Sequence, residues 1–162
     1  MDGKEQIVFR TMQVRDIPGV QVVERQCFTV PWSRGIFHTE LTKNDNAHYI
    51  VAQLGEEIVG YAGVWIILDE GHITNIAVHP KYQRRGIGRQ LMEEITAYAV
   101  QRGAVRMTLE VRVSNFTAQR LYSKLGYEVC GVRKGYYQDT KEDAYIMWKD
   151  LKPDEKWFDA GN

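Results

Sequence analysis

The sequence predicts one small α/β (α+β) domain, in which a mixed and mostly antiparallel sheet of about seven strands packs with four helices. Three observations predict this fold. Runs that alternate apolar and polar residues, as strands do, are interspersed with runs in which apolar residues recur at helical spacing. Glycines and prolines separate these runs. The 162 residues, 44% of them hydrophobic, are enough for one core. The predicted order of elements is β-α-α-β-β-β-α-β-α-β-β.

The first half of the chain is predicted to form a strand, two helices and a three-stranded meander. Short polar residues precede both helices, as N-caps do, and a glycine turn at Gly55 predicts a hairpin between the first two meander strands. The segments are the strand Ile7–Val14, a helix capped by Asp16 and ended by Pro31, a helix capped by Ser33, and the strands Tyr49–Leu54, Ile58–Val64 and His72–Val78.

The second half is predicted to add a helix, a strand, a last helix and a closing hairpin. Ile87, Leu91 and Ile95 fall on one face of the first helix, which ends at Gly103. The other segments are the strand Val105–Val111, a helix capped by Ser114 or Asn115, and strands near Tyr127–Tyr137 and Ala144–Leu151. The domain is expected to span residues 1–152, and 153–162 to form a loosely held tail with Trp157 and Phe158 as candidate docking residues.

Bulk charge and cysteine content argue against several function classes. Lysine plus arginine and aspartate plus glutamate each total 21, so no nucleic-acid or membrane partner is expected. No stretch approaches the ~18–20 apolar residues of a membrane span, and the polar start of the chain does not resemble a signal peptide. Cys27 and Cys130 lie far apart, outside any metal or redox spacing. A cytoplasmic protein with reduced thiols and no metal is the expectation.

The end of the third meander strand and the start of the following helix form a candidate anion site. Free backbone N–H groups at a helix start, with the positive end of its dipole, suit a phosphate group. Two arginines add charge that suits a pyrophosphate, although a solvated arginine pair is the competing interpretation. The G-x-G-x-x-G and P-loop patterns are absent. The run consists of Gln83, Arg84, Arg85, Gly86, Ile87 and Gly88.

This run resembles the Q/R-x-x-G-x-G/A motif of the GCN5-related N-acetyltransferase (GNAT) superfamily. The order of elements from Ile7 to Leu151 is also similar to that of the family. Further motifs resemble the bacterial ribosomal-protein-alanine N-acetyltransferases, which acetylate the N-terminal α-amine of a small-subunit ribosomal protein. Those motifs are Leu109–Asn115, Leu121–Tyr122, Leu125–Tyr127, Gly135–Tyr137 and Glu142–Met147.

The resemblance implies acetyl-CoA as co-substrate and assigns residues to it. In the family, the glycine run cradles the coenzyme A pyrophosphate, and the preceding strand offers backbone groups to the pantetheine arm. The Val78 N–H is the expected oxyanion donor. Asn115 is expected to bond the same arm, with a plain helix N-cap as its alternative role. The expected coenzyme-binding residues are Ile76, Ala77, Val78, Gln83, Arg84, Arg85, Gly86, Ile87, Gly88, Asn115 and Tyr122.

The resemblance also implies a catalytic base and a catalytic acid. Glu110 is the expected base, and its alternative is a solvated carboxylate paired with Arg112. Tyr122 is the expected acid near the thioester sulfur, although its apolar spacing also fits a core tyrosine. His72 is a candidate assistant to catalysis, against the more ordinary interpretation of a satisfied surface histidine. The family transfers acetyl directly, so neither cysteine is needed.

Aromatic residues in two predicted loops resemble the loops that bracket the acceptor terminus in this group. The expected substrate-binding residues are Phe28, Pro31, Trp32, Tyr136 and Tyr137, with ordinary strand-end aromatics as the alternative. The sequence therefore predicts an acetyl-CoA-dependent N-terminal acetyltransferase whose acceptor is a ribosomal protein with an N-terminal alanine. Two alternatives stay open: a related enzyme acting on lysine side chains, polyamines or another small amine, and a non-catalytic coenzyme A-responsive binding module.

Overall fold

The computed structural model describes residues 6–151 and confirms the predicted order of strands and helices. The predicted docking of Trp157 and Phe158 falls outside the described residues. Two short 3₁₀ turns accompany the regular elements, at Val14–Asp16 and Pro80–Tyr82. The elements are β1 Ile7–Thr11, α1 Ile17–Cys27, α2 Arg34–Lys43, β2 Ala47–Leu54, β3 Glu57–Ile67, β4 Glu70–Val78, α3 Ile87–Gln101, β5 Arg106–Arg112, α4 Phe116–Lys124, β6 Glu128–Tyr137 and β7 Glu142–Asp150.

The strands form one seven-stranded sheet in the order β1-β2-β3-β4-β5-β7-β6. Strands β4 and β5 are parallel, with Glu70 opposite Arg106 and His72 opposite Thr108. The pairs β1–β2, β2–β3, β5–β7 and β6–β7 are antiparallel. The sheet is therefore mixed and mostly antiparallel, as the sequence predicts.

The start of α2 agrees with its predicted capping residue, whereas the end of α1 does not agree with the proline predicted to end it. The Ser33 hydroxyl accepts a hydrogen bond of 3.2 Å from the Ile36 amide and caps α2. Helix α1 ends at Cys27 because Phe28 adopts an extended backbone, so Pro31 is not its terminator. Asp16 precedes α1, but its carboxylate binds the Arg10 guanidinium through two bonds of 2.8 Å instead of capping the helix.

Two compact units divide the described residues. The first comprises residues 6–65 and Thr74–Thr96, and the second Ile66–Ile73 and the chain from Ala97 onward. The core of the first unit joins α1, α2, β2 and β3 through fully buried side chains, among which Phe37 packs edge-on against Tyr61. In the second unit, Met107, Leu109 and Met147 are buried. None of the helices in the described part of the chain is long and apolar enough to cross a bilayer.

Candidate active site

The loop between β4 and α3 is open to solvent where the sequence predicts an anion site. Gln83, Arg84, Arg85 and Gly86 are exposed, whereas Ile87 is 2% exposed and anchors the start of α3 in the core. Gly86 has a φ of +78°, a conformation that L side chains rarely adopt, and a Cβ built there would meet nothing within 4 Å. The backbone can therefore be approached closely at this point.

The first backbone amides of α3 lack hydrogen-bond acceptors within the helix. The first helical bond runs from the Gln90 amide to the Gly86 carbonyl, at 3.1 Å. The amides of residues 87–89 precede it and have no carbonyl of the helix to bind, so they and the helix dipole favour an anion. The Arg85 guanidinium lies 5.3 Å from the Tyr82 ring centroid, and the Tyr82 hydroxyl donates to Glu57 at 2.8 Å. This loop has the features of a phosphate site.

Two side chains hold the carbonyl at the end of β4. The Gln83 amide donates to the Val78 carbonyl at 3.1 Å, and the Cys27 thiol donates to the same oxygen at 3.2 Å. Gln83 therefore fixes the loop to the strand that precedes it. Burial first, and then the charge of Glu24, raise the pKa of Cys27 to about 11, so this thiol is a poor nucleophile.

In the second unit, Glu110 lies at the centre of a polar cluster. Its side chain is 9% exposed, and its Oε1 is 2.8 Å from Nε2 of His72. The Arg133 guanidinium approaches the other oxygen at 3.5 Å, and the Tyr136 hydroxyl donates to Oε1 at the same long distance of 3.5 Å. The structure thus brings together the expected base, the candidate assistant His72 and one expected acceptor residue.

The charge state of Glu110 follows from these contacts. Burial raises its pKa, but the hydrogen bond from His72 and the attraction of His72 and Arg133 outweigh burial, so the net pKa is lowered. Glu110 is therefore a carboxylate at neutral pH. Burial first, and the charge of Glu110 second, raise the pKa of Tyr136.

Arg112 does not pair with Glu110, which corrects the alternative interpretation of that carboxylate. Its guanidinium binds Asp139 at 2.9 Å and Glu142 at 3.4 Å. It also lies 4.0 Å from the centroid of the Tyr137 ring, a cation–π contact. Arg112 therefore holds the turn between β6 and β7 beside Tyr137. The arginine that pairs with Glu110 is Arg133.

A bulge in β6 directs Tyr136 towards Glu110. Arg133 lies opposite Ala144 and Tyr137 opposite Glu142, so β6 advances four residues while β7 advances two. Gly135, with φ of +60°, lies in the bulge, and its amide donates to Asp143 at 2.8 Å. Bulges re-aim side chains in this way. The Tyr136 and Tyr137 rings meet edge-on, with centroids 5.0 Å apart.

Tyr122 and Asn115 lie on α4, as predicted. Asn115 caps the helix by accepting a 3.1 Å bond from the Ala118 amide, which leaves its side-chain NH₂ as a donor. Tyr122 is 7% exposed, and its ring is 6.2 Å from that of Tyr127. Burial raises the pKa of Tyr122 above its ordinary value, so the hydroxyl keeps its proton at neutral pH. Within residues 6–151 this hydroxyl makes no hydrogen bond.

The expected acceptor residues between α1 and α2 differ in their exposure. Phe28 is 36% exposed and Pro31 is also exposed. Trp32 is half-buried, and its ring packs against Phe37 at 5.4 Å and Tyr49 at 6.4 Å. The ring of Trp32 is thus mainly part of the core. Sequence reasoning missed Glu24, whose carboxylate accepts the Trp32 amide at 2.8 Å; the signal was its place on the apolar face of α1, between Val20 and Cys27.

Comparisons with known proteins identify the family of this fold. The sequence profile of the Acetyltransferase (GNAT) family matches residues 17–127, and the chain belongs to that family. A Bacillus subtilis (strain 168) protein, provisionally named ribosomal protein bS18-alanine N-acetyltransferase, is 42% identical over 145 residues, covering 90% of this chain and 96% of its own.

Two further relatives come from Escherichia coli. The ribosomal protein bS18-alanine N-acetyltransferase of strain K12 is 36% identical over 141 residues, covering 85% of this chain and 93% of its own. The crystal structure of the ribosomal-protein-S18-alanine N-acetyltransferase from Escherichia coli has a TM-score of 0.82 at 29% identity, covering 93% of this chain and 99% of that one. The GNAT fold predicted from the sequence is confirmed.

Proposed function

We propose that this protein transfers the acetyl group of acetyl-CoA to the N-terminal α-amine of a protein, and that its acceptor is the N-terminal alanine of ribosomal protein bS18. The observation that carries the proposal is the Glu110 carboxylate, withdrawn from bulk water and held by His72 at 2.8 Å. The relatives named as bS18-alanine N-acetyltransferases, matched along most of their length, support the choice of acceptor.

The β4–α3 loop supplies the coenzyme site in this proposal. The open surface at Gly86, the amides of Ile87 and Gly88, and the side chains of Arg84 and Arg85 fit a pyrophosphate. Acetyl-CoA brings the acetyl group as a thioester. The backbone of Ile76, Ala77 and Val78 and the free NH₂ of Asn115 bind the pantetheine arm, with the Val78 N–H as oxyanion donor.

Glu110 acts as the general base. An N-terminal amine has a pKa of about 8, so part of it is neutral at pH 7. As its nitrogen attacks the thioester carbon, the nitrogen gains positive charge, and the carboxylate of Glu110 takes the proton directly or through one water. His72 keeps the carboxylate oriented and ionised. The N–C bond forms, the C–S bond breaks, and the proton on nitrogen ends on Glu110.

Tyr122 provides the proton for the departing sulfur. Burial of the residue raises the pKa of its hydroxyl, so the hydroxyl keeps its proton at neutral pH, and no partner within the described residues competes for it. The packed ring fixes the direction of the hydroxyl, so one residue serves the core and the chemistry.

Aromatic groups around the site receive the acceptor's first residues. Tyr136 is 45% exposed and contacts Glu110, and the Arg112 guanidinium fixes Tyr137. Phe28 and Pro31 are exposed and offer apolar contacts from the loop after α1. Trp32 contributes by ordering that loop.

A thiol-release assay with acetyl-CoA tests the proposal. We expect turnover with a hexapeptide that begins with a free alanine and none with the same peptide N-blocked and carrying lysine. Turnover on the blocked peptide would move the acceptor to side-chain amines. Coenzyme binding without turnover on either peptide, or on polyamines, would favour a non-catalytic binding module.

We further propose that residues 1–152 form one catalytic domain followed by a tail at 153–162. We also propose that the protein acts in the cytoplasm without a metal, nucleic acid or membrane. The family match within residues 17–127 supports the first point. A chain ending at residue 152 and a chelator-treated full chain should both retain the turnover of the untreated protein. Loss of turnover in either sample would contradict the corresponding part of the proposal.

A further inference from the structure

Glu24 is the most buried charged residue among residues 6–151, at 2% exposure, and the mechanism above does not use it. The buried Asp16 has a cationic partner in Arg10, but no ion pair to Glu24 is found in the described part of the chain. Burying a carboxylate without a cation is costly, because neutral donors must replace its hydration. The contacts that offset this cost show what the residue holds in place.

Both ends of the loop between α1 and α2 are bonded to this one residue. The backbone carbonyl of Glu24 accepts the Phe28 amide at 3.0 Å, and its carboxylate Oε2 accepts the Trp32 amide at 2.8 Å. The segment from Phe28 to Trp32 is therefore closed on Glu24, with Phe28 and Pro31 exposed between the two bonds. We call residues 28–32 the acceptor loop.

The other carboxylate oxygen connects the loop to the strand that carries the coenzyme segment. The Tyr61 hydroxyl donates to Glu24 Oε1, and the Asn75 amide donates to the Tyr61 oxygen at 3.1 Å. Asn75 directly precedes Ile76, the first residue assigned to the pantetheine arm. A second link runs from Cys27 to the Val78 carbonyl. All of these residues belong to the first compact unit.

We propose that Glu24 is a positioning residue for acceptor binding, which fixes the acceptor loop relative to the coenzyme segment of β4. This inference rests on the proposed function, since it assumes that the loop contacts the acceptor. Removing the carboxylate leaves the Trp32 end of the loop held by the packing of its ring alone, so the backbone of the loop that receives the peptide is less preorganised. The energetic loss then falls on peptide binding, whereas the phosphate site at Gly86 keeps its own contacts.

Steady-state kinetics of three variants test the proposal. Glu24→Ala removes the two side-chain bonds, from the Trp32 amide and from the Tyr61 hydroxyl, and leaves the backbone bond to Phe28 in place. Glu24→Asp keeps the charge but is too short to reach the Trp32 amide, and Glu24→Gln keeps an oxygen that can accept it. We expect the peptide KM to rise about tenfold in the Ala and Asp variants, the factor for one charge-assisted hydrogen bond. In the Gln variant the peptide KM should rise about threefold. In all three variants the acetyl-CoA KM should stay within about twofold of the wild-type value.

Gln26→Ala, an exposed position on the same helix, is the matched control and should leave both KM values unchanged. A purely structural role would lower kcat through the active fraction and leave both KM values as they are, which would overturn the inference. An equal rise of both KM values would also overturn it. If the Ala variant does not fold, the Asp variant decides by the same criteria.

Hydrogen exchange of the segment 28–33 gives a readout that does not depend on activity. Exchange should be faster in Glu24→Asp than in the wild type. Unchanged exchange would contradict the proposal that Glu24 holds the acceptor loop in place. Failure of the proposed function is visible separately, because the wild type itself would then fail to acetylate any N-terminal peptide. In that case this inference falls with the function.

Discussion

Two glutamates, one in each compact unit, are almost closed to water and yet are held in opposite ways. Glu24 receives the neutral donors Trp32 N–H and Tyr61 O–H, and burial, the largest influence, raises its pKa. Burial, the largest influence, also raises the pKa of Glu110, but the contacts with His72 and with the Arg133 guanidinium outweigh it, so the net pKa is lowered. The partners of a carboxylate, more than its depth, therefore decide whether it is kept ready for proton transfer or used as a fixed acceptor.

Substituting each glutamate by glutamine separates the two roles. Glu110→Gln keeps the size of the side chain and removes the base, so we expect kcat to fall by about 10²-fold or more at neutral pH. The same change at Glu24 should act mainly on the peptide KM. Single-turnover and steady-state rates measure both effects, and Glu128→Gln, an exposed carboxylate on β6, is the control. A near-normal kcat in Glu110→Gln would rule out the base assignment.

Tyr122 tests whether a buried residue can also take part in the chemistry. Tyr122→Phe keeps the packed ring and removes the hydroxyl, so kcat should fall by about 50-fold, near the lower range for a lost proton donor. Acetyl-CoA affinity, measured by calorimetry, should remain within about twofold of the wild type. Lost coenzyme binding would instead mean that Tyr122 has a structural role, as proposed for Glu24, and is not the catalytic acid.

His72→Gln sharpens the comparison by removing the imidazole whose Nε2 lies 2.8 Å from Glu110 Oε1. We expect kcat to fall about tenfold and the Glu110 pKa to rise towards its ordinary value, because a lowering contact of 2.8 Å is lost. Activity needs the ionised carboxylate of Glu110, so kcat is lost as the pH falls through the Glu110 pKa. Because this pKa is higher in the variant, the acid limb of its pH–rate profile moves to higher pH.

Carboxyl ¹³C chemical shifts followed against pH measure this change directly. The resonance missing in Glu110→Gln identifies the Glu110 signal, and its midpoint in His72→Gln can then be compared with the wild type. A midpoint that does not move would show that Arg133 alone sets the charge state of Glu110.

The smallest expected effect reports on the charge of Glu24. That charge contributes to the raised pKa of Cys27, so Glu24→Gln should lower the Cys27 pKa and speed its alkylation about threefold at pH 9. A Cys130→Ser background removes the exposed thiol, which would otherwise dominate the reaction. An unchanged rate would indicate that Glu24 is protonated in the folded protein.

Local patterns in the sequence were enough to predict most of the fold. Periodicity, glycines and capping residues are properties of neighbours along the chain, so the element order and the Ser33 cap follow from them. The run from Gln83 to Gly88 was found because a strand, a turn and a helix start are adjacent in sequence. The end of α1 was missed because an extended Phe28, and not Pro31, terminates it.

Contacts between distant residues could not be predicted in the same way. Which arginine pairs with Glu110 depends on the register of β5, β7 and β6, in which Arg112 and Arg133 both lie opposite Ala144 and Arg133 is the one that reaches Glu110. Glu24 was overlooked because a charged residue on an apolar helix face has no recognisable partner until Trp32 and Tyr61 are placed around it. Both errors concern which distant side chains contact each other, and neither concerns whether a segment forms a helix or a strand.

The bulge that carries Tyr136 also has a consequence for how this protein can change over evolution. It adds two residues to β6 relative to β7, an even number, and Tyr137, the last residue of β6, pairs with Glu142 beyond it. Deleting two of its residues would withdraw Tyr136 from Glu110 and keep the face on which Tyr137 lies, whereas deleting one would turn the Tyr137 side chain to the other face. Under the proposed function, paired insertions and deletions here would alter the acceptor site and leave the sheet intact.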